Sequence, residues 1–156
     1  IATAMALIRA GADVNAVHEI PDDAEVFPAM PLWYAVARGK NLPLVKALLV
    51  AGADPDHCLW AVVWANDPKL MKVLLKAGSR TELKFDGETP LIYAARLGRE
   101  LVIPDLLQAN ASSKAKDSKG MTALDYALKK RLSDDVIKAL GGTPPARSMQ
   151  REKAKS

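Results

Sequence analysis

The chain has few of the residues that usually carry chemistry. Its 156 residues include one cysteine, Cys58, and two histidines, His18 and His57. One cysteine excludes an internal disulfide and leaves the compartment open. The histidines stand 39 residues apart, with no second thiol at ligand spacing, so a His/Cys metal site has no basis in the sequence. Long apolar runs are also missing. "LPLVKALLVAGA" is interrupted by Lys46 and runs into Gly52, short of the roughly 18 residues that a membrane span needs. No basic start followed by an apolar run and a small-residue cleavage pattern is visible, so a cytoplasmic setting is expected rather than a secretory one. There is no Ser-His-Asp ordering, no nucleophile motif and no phosphate-cradling glycine loop; "GKNLP" from Gly39 lacks the Walker pattern. These absences argue against an enzyme, and no cofactor, resident metal or small-molecule substrate is expected.

Charge is unevenly placed. The net charge is +4, but residues 141–156 hold Arg147, Arg151, Lys153 and Lys155 against Glu152, which leaves only +1 for residues 1–140. That terminal stretch also carries Gly141-Gly142 and Pro144-Pro145 and is expected to be a disordered, basic tail. A nearly neutral body argues against nucleic acid as a partner, although the tail alone could touch an anionic surface. Asp22, Asp23 and Glu25, with His18 and Glu19 nearby, form an acidic cluster, but no glycine-anchored calcium loop accompanies it, so a solvated loop is expected.

What the chain does have is repetition. "TPLIYAARLG" (Thr89 to Gly98) and "TALDYALKKR" (Thr122 to Arg131) share Thr, Leu, Tyr and Ala at a spacing of 33, and "MPLWYAVARG" (Met30 to Gly39) is a further copy. A second element follows each copy: "LVKALLVAGAD" from Leu44, "LMKVLLKAGSR" from Leu70, "VIPDLLQANAS" from Val102 and "VIKALGG" from Val136. "MALIRAGADVN" from Met5 is the same second element once more. Thr89 suits a helix N-cap and Pro90 a first turn, while Leu91, Ala94 and Ala95 share one helical stripe. Asp67-Pro68 and Ser133-Asp134 carry the same cap logic for second helices. Gly11, Gly52 and Gly78, with Asn110 in the next copy, stand where a left-handed residue ends a helix. One such pair buries too little by itself, so neighbours are expected to stack.

T-P-L-x-x-A-A-x-x-G, a leucine pair and G-A-D-x-N at a period of 33 residues resemble the ankyrin repeat, over about residues 1–140. The resemblance implies an all-α repeat solenoid of helix-turn-helix units joined by short β-hairpin-like connectors. One domain over 1–140 is expected, with a partial repeat over 1–16 and repeats at about 17–54, 55–81, 82–113 and 114–140, followed by the tail 141–156. Ile1 opens inside a second helix, which keeps a longer protein or a larger enzyme in view, with these repeats as its accessory part.

Departures from the pattern are informative. The family's signature histidine is replaced by Trp33, Leu59, Ile92 and Asp125, so its hydrogen bond to the capping threonine is expected to be missing. Cys58 lies 26 residues after Leu32 and 33 before Leu91, and therefore takes the core-leucine position, where it should be buried and unreactive. From Gly11 to Leu32 is 21 residues but from Gly52 to Cys58 only 6, against 13 from Gly78 to Leu91. The long connector is expected to form an enlarged hairpin, and the short one none. Val26, Phe27 and Pro28 are expected to lean over the resulting notch. Pro104 implies a slightly late helix start. Lys69, Lys72 and Lys76 share one helical face, expected to be solvated. Tyr34, Trp60, Tyr93 and Tyr126 occupy one signature position, expected to form an inter-repeat aromatic column.

The resemblance further implies a non-catalytic, protein-binding scaffold, acting as a monomer, whose partner touches hairpin tips and first helices on a concave face. The family's contact positions fall on Phe85, Asp86 and Glu88 in one hairpin, and on Lys116, Ser118, Lys119 and Met121 in the next. On first helices they fall on Ala37, Val63, Arg96 and Lys129, with Trp64 beside Val63. Phe85 and Met121 are the apolar anchors among mixed charges.

Overall fold

A computed structural model describes residues 2–20, 27–39 and 41–146. The chain divides into two compact units, Ile1–Arg80 and Thr81–Ser156. Helices dominate both, as the 33-residue pattern requires.

The first unit opens with α1 (Ala2–Arg9), followed by the antiparallel strands β1 (His18–Ile20) and β2 (Phe27–Ala29), paired His18 with Ala29 and Ile20 with Phe27. This is the enlarged hairpin of the long connector. Val26 and the side chains of Phe27 and Pro28 lie outside the described residues, as do Asp22, Asp23 and Glu25. α2 (Pro31–Tyr34) runs directly into a π-helical turn at Ala35–Gly39, and α3 (Leu42–Val50) follows. Asn41 caps α3, its side-chain oxygen accepting the Leu44 N–H at 3.1 Å. Gly52, at φ +91°, then closes α3 in the left-handed region that favours glycine.

The short connector makes no hairpin. It winds into a 3₁₀ turn, Asp56–Cys58, that leads into α4 (Leu59–Ala65) and then α5 (Pro68–Lys76). Asp67 caps α5 by accepting the Lys69 and Leu70 N–H groups. In place of strand pairing, the connector is tied to the turn after α5. The buried Asp56 carboxylate accepts the Arg80 N–H at 2.9 Å and its Nε–H at 2.7 Å, while the Ser79 hydroxyl donates to the Pro55 carbonyl. Asn15 makes a second long-range tie, donating to Gly52 O and accepting from Asp54 N. The core of this unit is Leu32, Val36, Val45, Leu59, Val62, Leu70, Met71 and Leu74. Cys58 lies among them with no exposed surface, as its leucine-position register requires. Lys69, Lys72 and Lys76 are exposed.

The second unit holds α6 (Pro90–Leu97), α7 (Ile103–Gln108), α8 (Ala123–Lys130) and α9 (Asp134–Ala139). α6 lies directly against α8, an approach made possible by the buried Ala94, Ala95 and Ala127. Leu91, Ile92, Ile103, Leu106 and Ile137 complete this core; burying one such side chain stabilises by about 1.5–3 kcal/mol. Pro104 sits at the start of a second helix of only six residues, the late start that its missing N–H implies.

One cap expectation needs correction. Ser133 precedes α9, but its hydroxyl makes no cap bond; its N–H donates instead to the Glu100 carboxylate, at 3.3 and 3.4 Å. In the last copy Asp125, at the signature-histidine position, bonds the capping threonine in its own way. Asp125 accepts from both the N–H and the hydroxyl of Thr122, at 2.8 and 2.9 Å, and its own N–H donates back to Thr122 Oγ1. That is a complete capping box. Among the described residues no helix is long and apolar enough to cross a membrane.

Candidate functional site

Most of the candidate contact residues sit on two hairpins and two first helices of the second unit. In the first hairpin, Phe85 and Glu88 exchange both backbone hydrogen bonds at 3.0 Å. Asp86 and Gly87, at φ +51° and +77°, form the two-residue turn between them. Positive φ at both central residues marks the primed turn whose twist matches paired strands, and an Asp-Gly pair favours it. A β-carbon at Gly87 would also lie 3.3 Å from the Ser118 Cβ in the neighbouring hairpin tip, a tight contact that would push Ser118 aside by a few tenths of an ångström. The Lys84 ammonium, donating to the Lys116 carbonyl at 3.0 Å, makes another link between the two connectors.

The second hairpin tip is organised by Asp117. Its Oδ1 accepts the N–H of Lys119 at 2.8 Å and of Met121 at 2.9 Å, and its Oδ2 accepts the Tyr126 hydroxyl at 2.6 Å. That hydroxyl bond, helped by the two backbone donors, holds the Asp117 carboxyl below the usual carboxylate range, and the same bond raises Tyr126. Asp125 is lowered as well, chiefly by the Thr122 N–H and then by the Thr122 hydroxyl. Sequence reasoning named Lys116, Ser118, Lys119 and Met121 and passed over Asp117. The signal was present in Asp-Ser-Lys-Gly, where an aspartate side chain can fold back on its own turn.

Glu88 and Arg96 meet as a two-pronged ion pair. Arg96 Nε donates to Glu88 Oε1 at 2.6 Å, and Nη2 donates to Oε2 at 2.9 Å. The Arg96 guanidinium also lies 5.3 Å from the centre of the Tyr93 ring, within cation–π range. The bond to Glu88 raises Arg96, while burial raises Tyr93. Glu88 is therefore more than half-buried and occupied by Arg96, whereas Asp86, Lys116, Ser118, Lys119 and Lys129 are exposed. Phe85 is 41% exposed, and Met121 is half-buried. Arg96, Lys119, Met121 and Lys129 share a cleft of about 420 Å³ with Tyr126 and Lys130. Nothing in the single sequence set Lys130 and Tyr126 apart as its neighbours.

In the first unit, Ala37 and Trp64 are exposed, Trp64 at 61%. Val63 is fully buried in the core and is not a contact position, contrary to the expectation. An apolar groove of about 620 Å³ opens there between α1, α2 and α3, with Leu7, Ile8, Tyr34 and Leu44 among its walls. Of the expected aromatic column, Tyr93 and Tyr126 both stand near Arg96 and Glu88. Tyr34 packs edge-on against Trp33 at 5.3 Å, Tyr93 lies under Arg96, and Tyr126 is held by Asp117. His57 is exposed in its turn, and among the described residues no group of three or more His, Cys, Asp or Glu could hold a metal ion.

Residues 32–111 and 59–143 each match the family model described as ankyrin repeats (3 copies). Over 142 residues the chain is 28% identical to glycerophosphocholine phosphodiesterase gde1 of Schizosaccharomyces pombe, covering 81% of this chain and 12% of that protein. Over 104 residues it is 34% identical to neurogenic locus notch homolog protein 1 of Xenopus laevis and 35% identical to neurogenic locus notch homolog protein 2 of Homo sapiens. Those two alignments cover 60% of this chain, which spans only 4% of either relative. Repeats of this kind generally mediate protein–protein interaction. Family match, 33-residue register, paired helices and hairpin connectors agree, and the chain belongs to the ankyrin-repeat family.

Proposed function

We propose that this chain is a non-catalytic scaffold that holds a protein partner on the hairpin tips and first helices of its second unit. The observation that carries this reading is the convergence of Arg96, Lys119, Met121 and Lys129 on one open cleft, with the exposed Phe85 and Asp86 on the adjoining hairpin. Asp117, the Asp86-Gly87 turn and the Glu88–Arg96 pair fix the backbone and side chains around that cleft before any partner arrives, which lowers the ordering cost of binding. Phe85 and Met121 supply apolar contact, and the surrounding charges supply orientation. Trp64 on the first unit is a second, separate candidate contact.

The test is affinity capture with the immobilised chain beside a Phe85→Ala/Met121→Ala/Arg96→Ala variant that retains helical circular dichroism. Selective loss of a partner by the variant supports the reading. Equal recovery of every partner by both discards this face. A second reading, that these repeats are the accessory part of a larger enzyme, is favoured by the similarity to the phosphodiesterase, which extends over 81% of this chain. In that reading the repeats still bind rather than catalyse.

A further inference from the structure

Resting on the binding face just described, we infer that the segment it receives is acidic: a run of Asp and Glu residues flanking an apolar side chain. Four of the six residues lining the 420 Å³ cleft are cationic: Arg96, Lys119, Lys129 and Lys130. Of the acidic groups nearby, Asp86 is exposed at the adjoining hairpin tip, and Glu88, Asp117 and Asp125 are already engaged. Glu88 is paired with Arg96. Asp117 turns inward, its oxygens taken by the Tyr126 hydroxyl and by the Lys119 and Met121 N–H groups. Asp125 faces back into its capping box with Thr122. Lys119, Lys129 and Lys130 form no ion pair with any described residue. Three exposed ammonium groups around one small cleft repel one another, and a carboxylate-bearing segment relieves that repulsion as it binds.

The same cleft discriminates among anions. Its single guanidinium has its bidentate edge on Glu88, so the fork that grips phosphate is taken. Its one aromatic ring, Tyr126, is buried rather than offered as a platform on which a base could stack. Lysine ammoniums impose no planar geometry and suit flexible Asp and Glu side chains. The half-buried Met121 adds a soft apolar surface to the cleft lining. A volume of about 420 Å³ accommodates a few side chains, not a duplex.

The test is fluorescence anisotropy with the full chain and three fluorescein-labelled probes: the peptide Glu-Asp-Glu-Leu-Glu-Asp-Glu, its Gln/Asn counterpart, and a single-stranded ten-mer of thymidine. The acidic peptide is expected to bind and to weaken severalfold between low and physiological salt. Lys119→Glu/Lys129→Glu is expected to weaken it by about tenfold or more, from two lost attractions and two new repulsions. Lys69→Glu/Lys76→Glu on the exposed face of α5 makes the same change in net charge and is expected to leave affinity within about twofold; circular dichroism confirms that both variants are folded. Equal binding of the Gln/Asn peptide, equal loss in both charge reversals, or tighter binding of the thymidine ten-mer would overturn the inference. If the triple alanine variant loses a captured partner while the acidic peptide fails to bind, the acidic segment is wrong and the face stands. If that variant captures every partner normally, both fall.

Discussion

Cys58 permits a prediction that joins register, burial and reactivity. Its side chain has no exposed surface, and burial, followed by the negative charge of Asp54, pushes its pKa from an ordinary 9.0 up to about 12. The thiolate is the nucleophile, so three pKa steps reduce the reactive fraction about thousandfold at any pH well below 9. Access adds to this, because the thiol sits where the 3₁₀ turn meets α4, in a connector pinned by the Asp56–Arg80 pair. Labelling of the folded chain by a disulfide reagent at pH 8 should therefore run at least about a thousandfold slower than labelling of the urea-unfolded chain. The rate should climb as urea approaches the unfolding transition. Native labelling within about tenfold of the unfolded rate would refute both the burial and the leucine-position register. The linkage has a definite sign: a raised pKa means that the folded chain holds the proton more tightly. That contribution to stability is complete below pH 9 and is lost as the pH rises toward 12. Cys58→Ser should cost about 1–3 kcal/mol by burying an unpaired hydroxyl, measured by urea denaturation.

Three further outcomes are expected. Asp117 and Asp125 have lowered pKa values, so the stability they contribute is present above their unfolded value of about 3.9 and fades as the pH falls below it; Asp117→Asn should flatten that acid limb in pH-dependent thermal melts, and an unchanged limb would remove Asp117 from the account. Leu91→Ala should cost about 2–5 kcal/mol in urea denaturation, as for other fully buried leucines, and a cost below about 1 kcal/mol would mean that the α6–α8 packing is wrong. Arg131 ends α8 at φ +61°, where a β-carbon is strained, so Arg131→Gly should stabilise by about 0.5–1 kcal/mol once the greater unfolded-state freedom of glycine is subtracted; a lower melting temperature would refute the strain.

The parts of the fold that the residues announced were those set by local chemistry. Thr89 and Asp67 cap their helices because a side-chain acceptor beside free N–H groups suffices. Gly52, Gly78 and Asn110 adopt positive φ because little else does so at low cost. Connector lengths were enough to place a hairpin at residues 18–29 and to exclude one at residues 52–58. What escaped the sequence depended on which side chains meet in space, over separations from 3 to 33 residues. Ser133 looks like a cap, yet the Glu100 carboxylate takes its N–H from 33 residues upstream. Asp56 looks like a loop residue, yet it anchors Arg80 across 24 positions. Glu88 resembled a free contact residue until Arg96 was found to hold it. Asp125 departs from the family's histidine but restores a threonine bond through another side chain. In the candidate site, the division of the named residues into engaged and available charges was not legible.

The division of the chain at Arg80 also partitions its chromophores. Trp33, Trp60 and Trp64 all belong to residues 1–80, while residues 81–156 hold no tryptophan. Indole emission excited at the red edge is thus a private signal of one unit, whereas far-ultraviolet dichroism sums the helices of both. Denaturation curves recorded in the two ways on a single unmodified sample measure the cooperativity between the units directly. Superposition means that whatever stabilises one unit stabilises the other, and separation means that each unit unfolds on its own.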